Sequence, residues 1–210
     1  MLVPLAVVSW AVATLAFLLL AVLAAFFDRF PADERIAHAI QGIDVPAFGG
    51  FMAFVNHLGD GVIAVLLMLG VAVAFAVARR GWEAMVVILM AAPRATSVVI
   101  KEIVGRPRPS PHLINVSHQE SDYSFPSGHT VGTAALFVAL FFLIPAVVPW
   151  RFVRWLLQAG CVLVVLAAGP ARVYVGVHWP SDVFAGYLLA LIFLVPVFLV
   201  YLAYRQHENV

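Results

Sequence analysis

Two histidines, three cations and one carboxylate, set in three short stretches of an otherwise apolar chain, carry the chemistry open to this sequence. The first stretch is Lys101 followed by Gly105-Arg106-Pro107-Arg108-Pro109. Its prolines fix the backbone and end the preceding helix, so Arg108 sits on a stiff turn while Lys101 reaches up from the helix end. Two fixed cations close together repel unless an anion lies between them. On its own the stretch reads equally well as a basic cluster touching lipid head groups.

The second stretch is Pro126-Ser127-Gly128-His129, where a polar loop gives way to an apolar run. The first N–H groups of a helix have no partner within it and carry the positive end of its dipole, and Gly128 lets an oxyanion come close. His129 stands in that first turn, beside any anion held there. Taken alone, a serine N-cap with a histidine neighbour is an ordinary helix start.

The third stretch runs from Arg172 through His178-Trp179-Pro180-Ser181-Asp182. Pro180 suits a first helical turn, and His178 and Asp182, four apart, can meet across it. A carboxylate on one imidazole nitrogen fixes the tautomer and leaves the other nitrogen as a basic lone pair. Arg172 offers a planar guanidinium suited to two phosphate oxygens. A structural hydrogen bond or a metal site would use the same His-Asp pair.

Together the stretches offer more than any one does. Phosphoryl transfer needs charge neutralisation, a nucleophile and an acid for the leaving oxygen, and each role has a candidate. No cysteine set or carboxylate cluster offers a metal cage, so neither metal nor cofactor is expected. The one cysteine, Cys161, lies in an apolar run and reads as a core or lipid-facing residue.

The elements that must position these groups are membrane helices. Hydrophobic residues make up 64% of the 210 residues and charged residues 11%, with a mean hydropathy of +1.03, far from a soluble composition. A net charge of +1 without any like-charge run leaves nothing to attract nucleic acid. Six apolar stretches have spanning length: Val3 to Phe27, Gly61 to Val77, Glu83 to Ile103, Ser127 to Val147, Phe152 to Val175 and Ser181 to Tyr204. The sequence thus predicts an all-α bundle of six transmembrane helices forming one domain over residues 1–210. The first run lacks a charged leader region and exceeds signal-peptide length, so it reads as a retained span.

The first connection carries Ile36, Ala39, Ile40 and Ile43 at helical spacing, which predicts a short amphipathic helix at the interface or on the surface. Phe48 to Leu58, interrupted by Gly49 and Gly50, either extends the second span or lies flat. With the N-terminus inside, the inner side holds Arg79, Arg80, Arg151, Arg154 and Arg205, and the outer side holds Arg29, Arg35, Lys101, Arg106, Arg108 and Arg172. Once the four outer residues that belong to the chemical stretches are set aside, the positive-inside rule favours this orientation. In either orientation all three stretches share one membrane face.

Lys101-x6-Arg108-Pro109, then Pro126-Ser127-Gly128-His129, then Arg172-x5-His178-x3-Asp182 is similar to the three-part signature of the type 2 phosphatidic acid phosphatase (PAP2) family. These are membrane lipid phosphatases related to vanadium haloperoxidases. The resemblance extends through the six-span layout, with Ala171 standing where many members have serine. It implies that His178, oriented by Asp182, attacks phosphorus to form a phosphohistidine that water then hydrolyses. It further implies that His129 protonates the leaving oxygen, that Lys101, Arg108, Arg172, Ser127 and the Gly128 N–H hold the phosphoryl oxygens, and that no metal takes part.

Other polar residues have a bland and a sharp reading. Arg94 lies seven residues before Lys101, on the same helix face, and either shapes a head-group pocket or pairs with a polar neighbour. His57 and Asp60, near the outer end of the second span, either line the site or are solvated at the interface, Glu102, Glu120 and Asp122 read as charge balance or head-group selection, and Trp82, Trp150 and Trp179 as interface anchors. The leading expectation is a lipid phosphatase at the outer face of a bacterial cytoplasmic membrane, acting on undecaprenyl pyrophosphate, phosphatidylglycerol phosphate or phosphatidic acid. A lipid phosphotransferase and a transporter of phosphorylated lipids are the rivals. The short loop from Arg106 to Phe125 predicts an open site.

Overall fold

A computed structural model describes residues 2–208, and these fold into helices joined by short loops. The helices are α1 (Leu2–Phe26), α2 (Asp33–Gln41), α3 (Pro46–Leu58), α4 (Gly61–Val77), α5 (Gly81–Leu89), α6 (Ala91–Val104), α7 (Gly128–Leu143), α8 (Arg151–Tyr174) and α9 (Pro180–Glu208). Five helical stretches are long and apolar enough to cross a membrane, with α5 and α6 counted as one and a 3-10 turn extending α7 to Ala146. The bent pair α3 and α4 makes up to six.

Helices dominate because a chain in lipid must satisfy its backbone polar groups internally. α7 is the central helix, packed against α6, α8 and α9. Ala134, Ala135 and Ala139 are buried on it. Small residues let membrane helices approach closely where burial of apolar surface gives little net drive. Large apolar residues such as Leu15, Val62, Leu66, Phe152 and Leu166 are exposed around the bundle, facing the lipid.

The structure refines three expectations. The segment before the second span is a helix of its own, α3, bent by 68° from α4 across Gly59 and Asp60. The expected third span is interrupted at Met90, which separates α5 from α6. The helix in the first connection forms as α2, and the face it packs against α8 and α9 holds Asp33, Ala37 and the half-buried Ile40, while Ile36 and Ile43 are exposed. A carboxylate thus points inward beside Ile40, because it has the buried cation of Arg106 to meet. Trp179 is a correction: it is 2% exposed, packed with Ala37, Ile114 and Val173 in a core cluster, and anchors nothing at an interface. Trp150 is 70% exposed, as an anchor should be, and Trp82 stacks on Tyr204. Cys161 is buried.

Candidate active site

α6 and α8 end, and α7 and α9 begin, at one end of the bundle, and all three stretches meet there. Gly105 takes a left-handed φ of 66° to close α6, its N–H donating to the Lys101 carbonyl at 2.9 Å. The chain then runs through Arg106 and Arg108 back over the bundle. Gly176, at φ 78°, turns the chain ahead of His178, and a Cβ there would lie 1.9 Å from the Asn115 carbonyl oxygen. Only glycine lets the loop after Pro109 seat against this turn.

His178 is 1% exposed, with Nε2 3.2 Å from Arg108 Nη1. Arg108 Nη1 also donates to the Val177 carbonyl at 2.7 Å. Burial, followed by the charges of Arg172, Arg108 and Lys101, holds the His178 pKa well below its ordinary value. This favours the neutral imidazole, whose Nε2 lone pair accepts from Arg108 Nη1.

The pairing of His178 with Asp182 across one turn is corrected in detail. Asp182 Oδ2 stands 3.6 Å from His178 Nδ1, beyond hydrogen-bond length, and Nδ1 has no hydrogen-bond partner among the described residues. Asp182 is held by other groups: Arg106 Nη1 reaches Oδ1 at 2.5 Å, and the Trp179 N–H donates to Oδ2 at 2.9 Å. Arg106 is 1% exposed, and it also donates to Asp33 at 3.0 Å and to Ser181 Oγ at 2.8 Å, with Phe30 beneath its guanidinium. Asp33 in turn accepts from the Ser181 N–H and hydroxyl at 3.0 and 2.8 Å. Arg106 and Asp33 are the positioning residues that the sequence did not disclose, since 73 residues separate them and nothing local marks the pair.

His129 stands in the first turn of α7, its Nε2 3.2 Å from Asp60 Oδ1. Asp60 Oδ2 lies 2.7 Å from His57 Nδ1. Both side chains keep substantial exposure, as residues at an interface would, and Asp60 also joins His57 to His129 at the α3–α4 bend. Burial raises the Asp60 pKa, and the two histidines more than offset it, leaving the carboxyl below its ordinary value. Arg172 lies within electrostatic range of both His129 and His178. Its Nη1 donates to Asn56 Oδ1 at 2.7 Å and its Nη2 to Glu120, while its Nε is buried without a partner among the described residues. Ala171, the departure from the resembled signature, packs against the apolar Met52 and Val55 of α3.

The loop between α6 and α7 does not leave the cations open. Glu120 bridges Arg172 and Arg108, at 2.5 Å from the latter, and Asp122 bridges Arg108 at 2.5 Å and Lys101 at 2.6 Å. Burial alone would raise both carboxyls, but Arg172 and Arg108 bring Glu120 down to about 2, and Lys101 and Arg108 bring Asp122 down to about 2. Glu120 and Asp122 thus balance the charge of these cations in this structure, whereas Glu102 is exposed. Two carboxylates sit where a tetrahedral anion would find the same donors.

Ser127 is buried, its N–H donating to the Asp182 carbonyl at 3.1 Å and its Oγ accepting from Thr130 at 3.0 Å. The first of these bonds ties the start of α7 to the start of α9, and so His129 to the His178 turn. Gly128 is the first residue of α7, where a Cβ would come within 3.2 Å of Ser97 Oγ. Among the described residues no group of three or more His, Cys, Asp or Glu is arranged to hold a metal ion.

The family model of the PAP2 superfamily matches residues 82–206, more than half of the chain. The chain belongs to the PAP2 superfamily. Phosphatidylglycerophosphatase B of Bacillus subtilis (strain 168) is 30% identical to it over 164 residues, 77% of this chain and 79% of that protein. The crystal structure of a transmembrane PAP2 type phosphatidylglycerolphosphate phosphatase from Bacillus subtilis matches with a TM-score of 0.75 at 26% identity, covering 90% of this chain and 94% of that one. An undecaprenyl-diphosphatase of Sulfolobus acidocaldarius is 36% identical over 95 residues, 43% of this chain and 41% of that protein. In this PAP2 chain the matched segment holds all eight residues singled out for chemistry. Asp33, Asn56, His57 and Asp60, which hold Arg106, Arg172 and His129, come from α2, α3 and the bend outside it.

Proposed function

We propose that this multi-pass membrane lipid phosphatase removes the terminal phosphate of a lipid phosphate or diphosphate by two displacements at His178. The Nε2 lone pair attacks phosphorus. The bond from phosphorus to the lipid oxygen breaks, its electron pair stays on that oxygen, and His129 supplies the proton. Water then attacks the phosphohistidine, His129 takes the water proton, the P–N bond breaks and phosphate leaves. Arg108, Arg172 and Lys101, with the Ser127 hydroxyl and the Gly128 N–H, take the phosphoryl oxygens once Glu120 and Asp122 give way. Phosphorylated His178 is cationic at its ring, which draws Nδ1–H toward Asp182 across the 3.6 Å gap.

The observation that carries this reading is a buried imidazole whose Nε2 lies 3.2 Å from Arg108 Nη1 within a cluster of cations. The B. subtilis relative, a phosphatidylglycerophosphatase by name, and the shorter match to an undecaprenyl-diphosphatase support phosphatidylglycerol phosphate and prenyl diphosphates as substrates, with phosphatidic acid in the same chemical class. Residues 1–210 act as one domain, because α2 and α3 supply partners to site residues from the matched segment. The site faces the outside of the cytoplasmic membrane, since Arg79, Arg80, Arg151 and Arg154 cluster at the opposite end of the bundle.

The test is phosphate release by purified protein from these three lipids in detergent micelles. Wild type releases phosphate from at least one of them, and H178A releases none while eluting as a folded species. Full activity in H178A would remove the nucleophile.

A further inference from the structure

Arg94 is the one site-facing cation that the chemistry above does not use. It lies on α6 two turns below Lys101, at membrane depth, and no carboxylate approaches it within 4 Å among the described residues. The acidic groups within electrostatic range are Asp60 and Glu120, already engaged by His57 and His129 and by Arg172 and Arg108. Among the described residues its side chain donates one hydrogen bond, from Nη1 to the Gly59 carbonyl at 2.9 Å, at the α3–α4 bend next to Asp60. Space for it is cut by glycine: a Cβ on Gly132 would meet Arg94 Cδ at 3.2 Å, and one on Gly61 would lie 3.8 Å from Nη2. Gly132 is one turn along α7 from His129.

Arg94 also borders a cavity of about 320 Å³ lined by Ala64, Met68, Val98, Leu136 and Phe137, with Thr133 as its one other polar side chain. Val98 and Val65 at its rim are exposed to the lipid side. A guanidinium placed in a spanning helix without an ion partner is costly and marks a functional site. Here it sits between the leaving-group acid and a chain-sized apolar cavity.

We propose that Arg94 binds a second phosphate on the leaving-group side of the scissile bond, with the lipid chain lying in the adjoining cavity. Resting on the phosphatase reading, this assigns the substrate class: lipids whose leaving group carries its own phosphate, meaning prenyl diphosphates and phosphatidylglycerol phosphate. Phosphatidic acid, whose leaving group is a neutral alcohol, gains nothing from Arg94. A guanidinium donates two N–H bonds to one phosphate, which lysine cannot reproduce in full but whose charge it keeps.

The experiment compares kcat/KM for a prenyl diphosphate and for phosphatidic acid, each in dodecyl maltoside micelles, in wild type, R94Q and R94K. The ratio of the two values falls by about tenfold or more in R94Q, the size of one lost charge-assisted bond, and by less in R94K. An unchanged ratio with equal losses on both lipids overturns the proposal and leaves Arg94 as a structural group. A second readout needs no lipid: the preference of wild type for methylenediphosphonate over methylphosphonate as an inhibitor falls about tenfold in R94Q and by less in R94K, and a preference that is the same in wild type and R94K, or in R94Q where it folds, overturns the proposal. If wild type releases phosphate from no lipid, the phosphatase reading itself fails, a result distinct from an unchanged ratio.

Discussion

Arg106 and Asp182 form a fully buried ion pair, 2.5 Å from Nη1 to Oδ1, that fixes the carboxylate beside His178. Asp33 closes the pair from α2, so the helix over the site is tied to the turn that carries the nucleophile. A buried cation between two buried carboxylates is costly to dismantle, since each partner left behind is an uncompensated charge.

Replacing Arg106 with methionine therefore destabilises the protein by about 3–5 kcal/mol and removes activity with it. Denaturation in detergent, followed by helicity, reads the loss. D33N, which leaves the Arg106–Asp182 contact in place, costs less, and a loss in D33N as large as in R106M would contradict this order.

Glu120 and Asp122 compete with substrate for Arg172, Arg108 and Lys101. Neutralising them in the E120Q/D122N double variant lowers the inhibition constant for orthophosphate by about tenfold or more, since bound phosphate no longer has to displace two carboxylates from these cations. Weaker phosphate inhibition in the double variant would show instead that the two carboxylates preorganise the cations.

Acid stability separates the groups by pH window. The His178 pKa is lowered in the folded protein, so the folded state resists a proton that the unfolded chain takes up, and stability falls as pH drops below 6.5. The Glu120 and Asp122 carboxyls are also lowered, from 4.5 and 3.8 to about 2, so their contribution is present above those unfolded values and lost as pH falls toward 2. Thermal melts in detergent then show a decline that H178Q makes shallower between pH 6.5 and 4.5 and E120Q/D122N makes shallower below it. Identical profiles in all three proteins would contradict these assignments.

The spans and the three stretches were legible because hydropathy and motif spacing are local properties. Lys101, Arg108, His129, Arg172 and His178 converge as their order along the helices requires. The support was not legible. Asp33, Asn56 and Asp60 look like ordinary loop or helix-end polar residues, and their roles arise only when α2 and the α3–α4 bend fold over the site. Trp179 and Asp182 misled for a related reason. Four-residue spacing brings Asp182 near His178, but the contact a carboxylate makes is decided by the strongest cation in reach, and that is Arg106.

The most direct test is a rapid-quench single turnover with a lipid substrate, followed by base-stable peptide mapping for phosphohistidine. The account predicts phosphate on His178 before free phosphate appears, and none on His129. Release of a full equivalent of phosphate with His178 unmodified at every time point would contradict it.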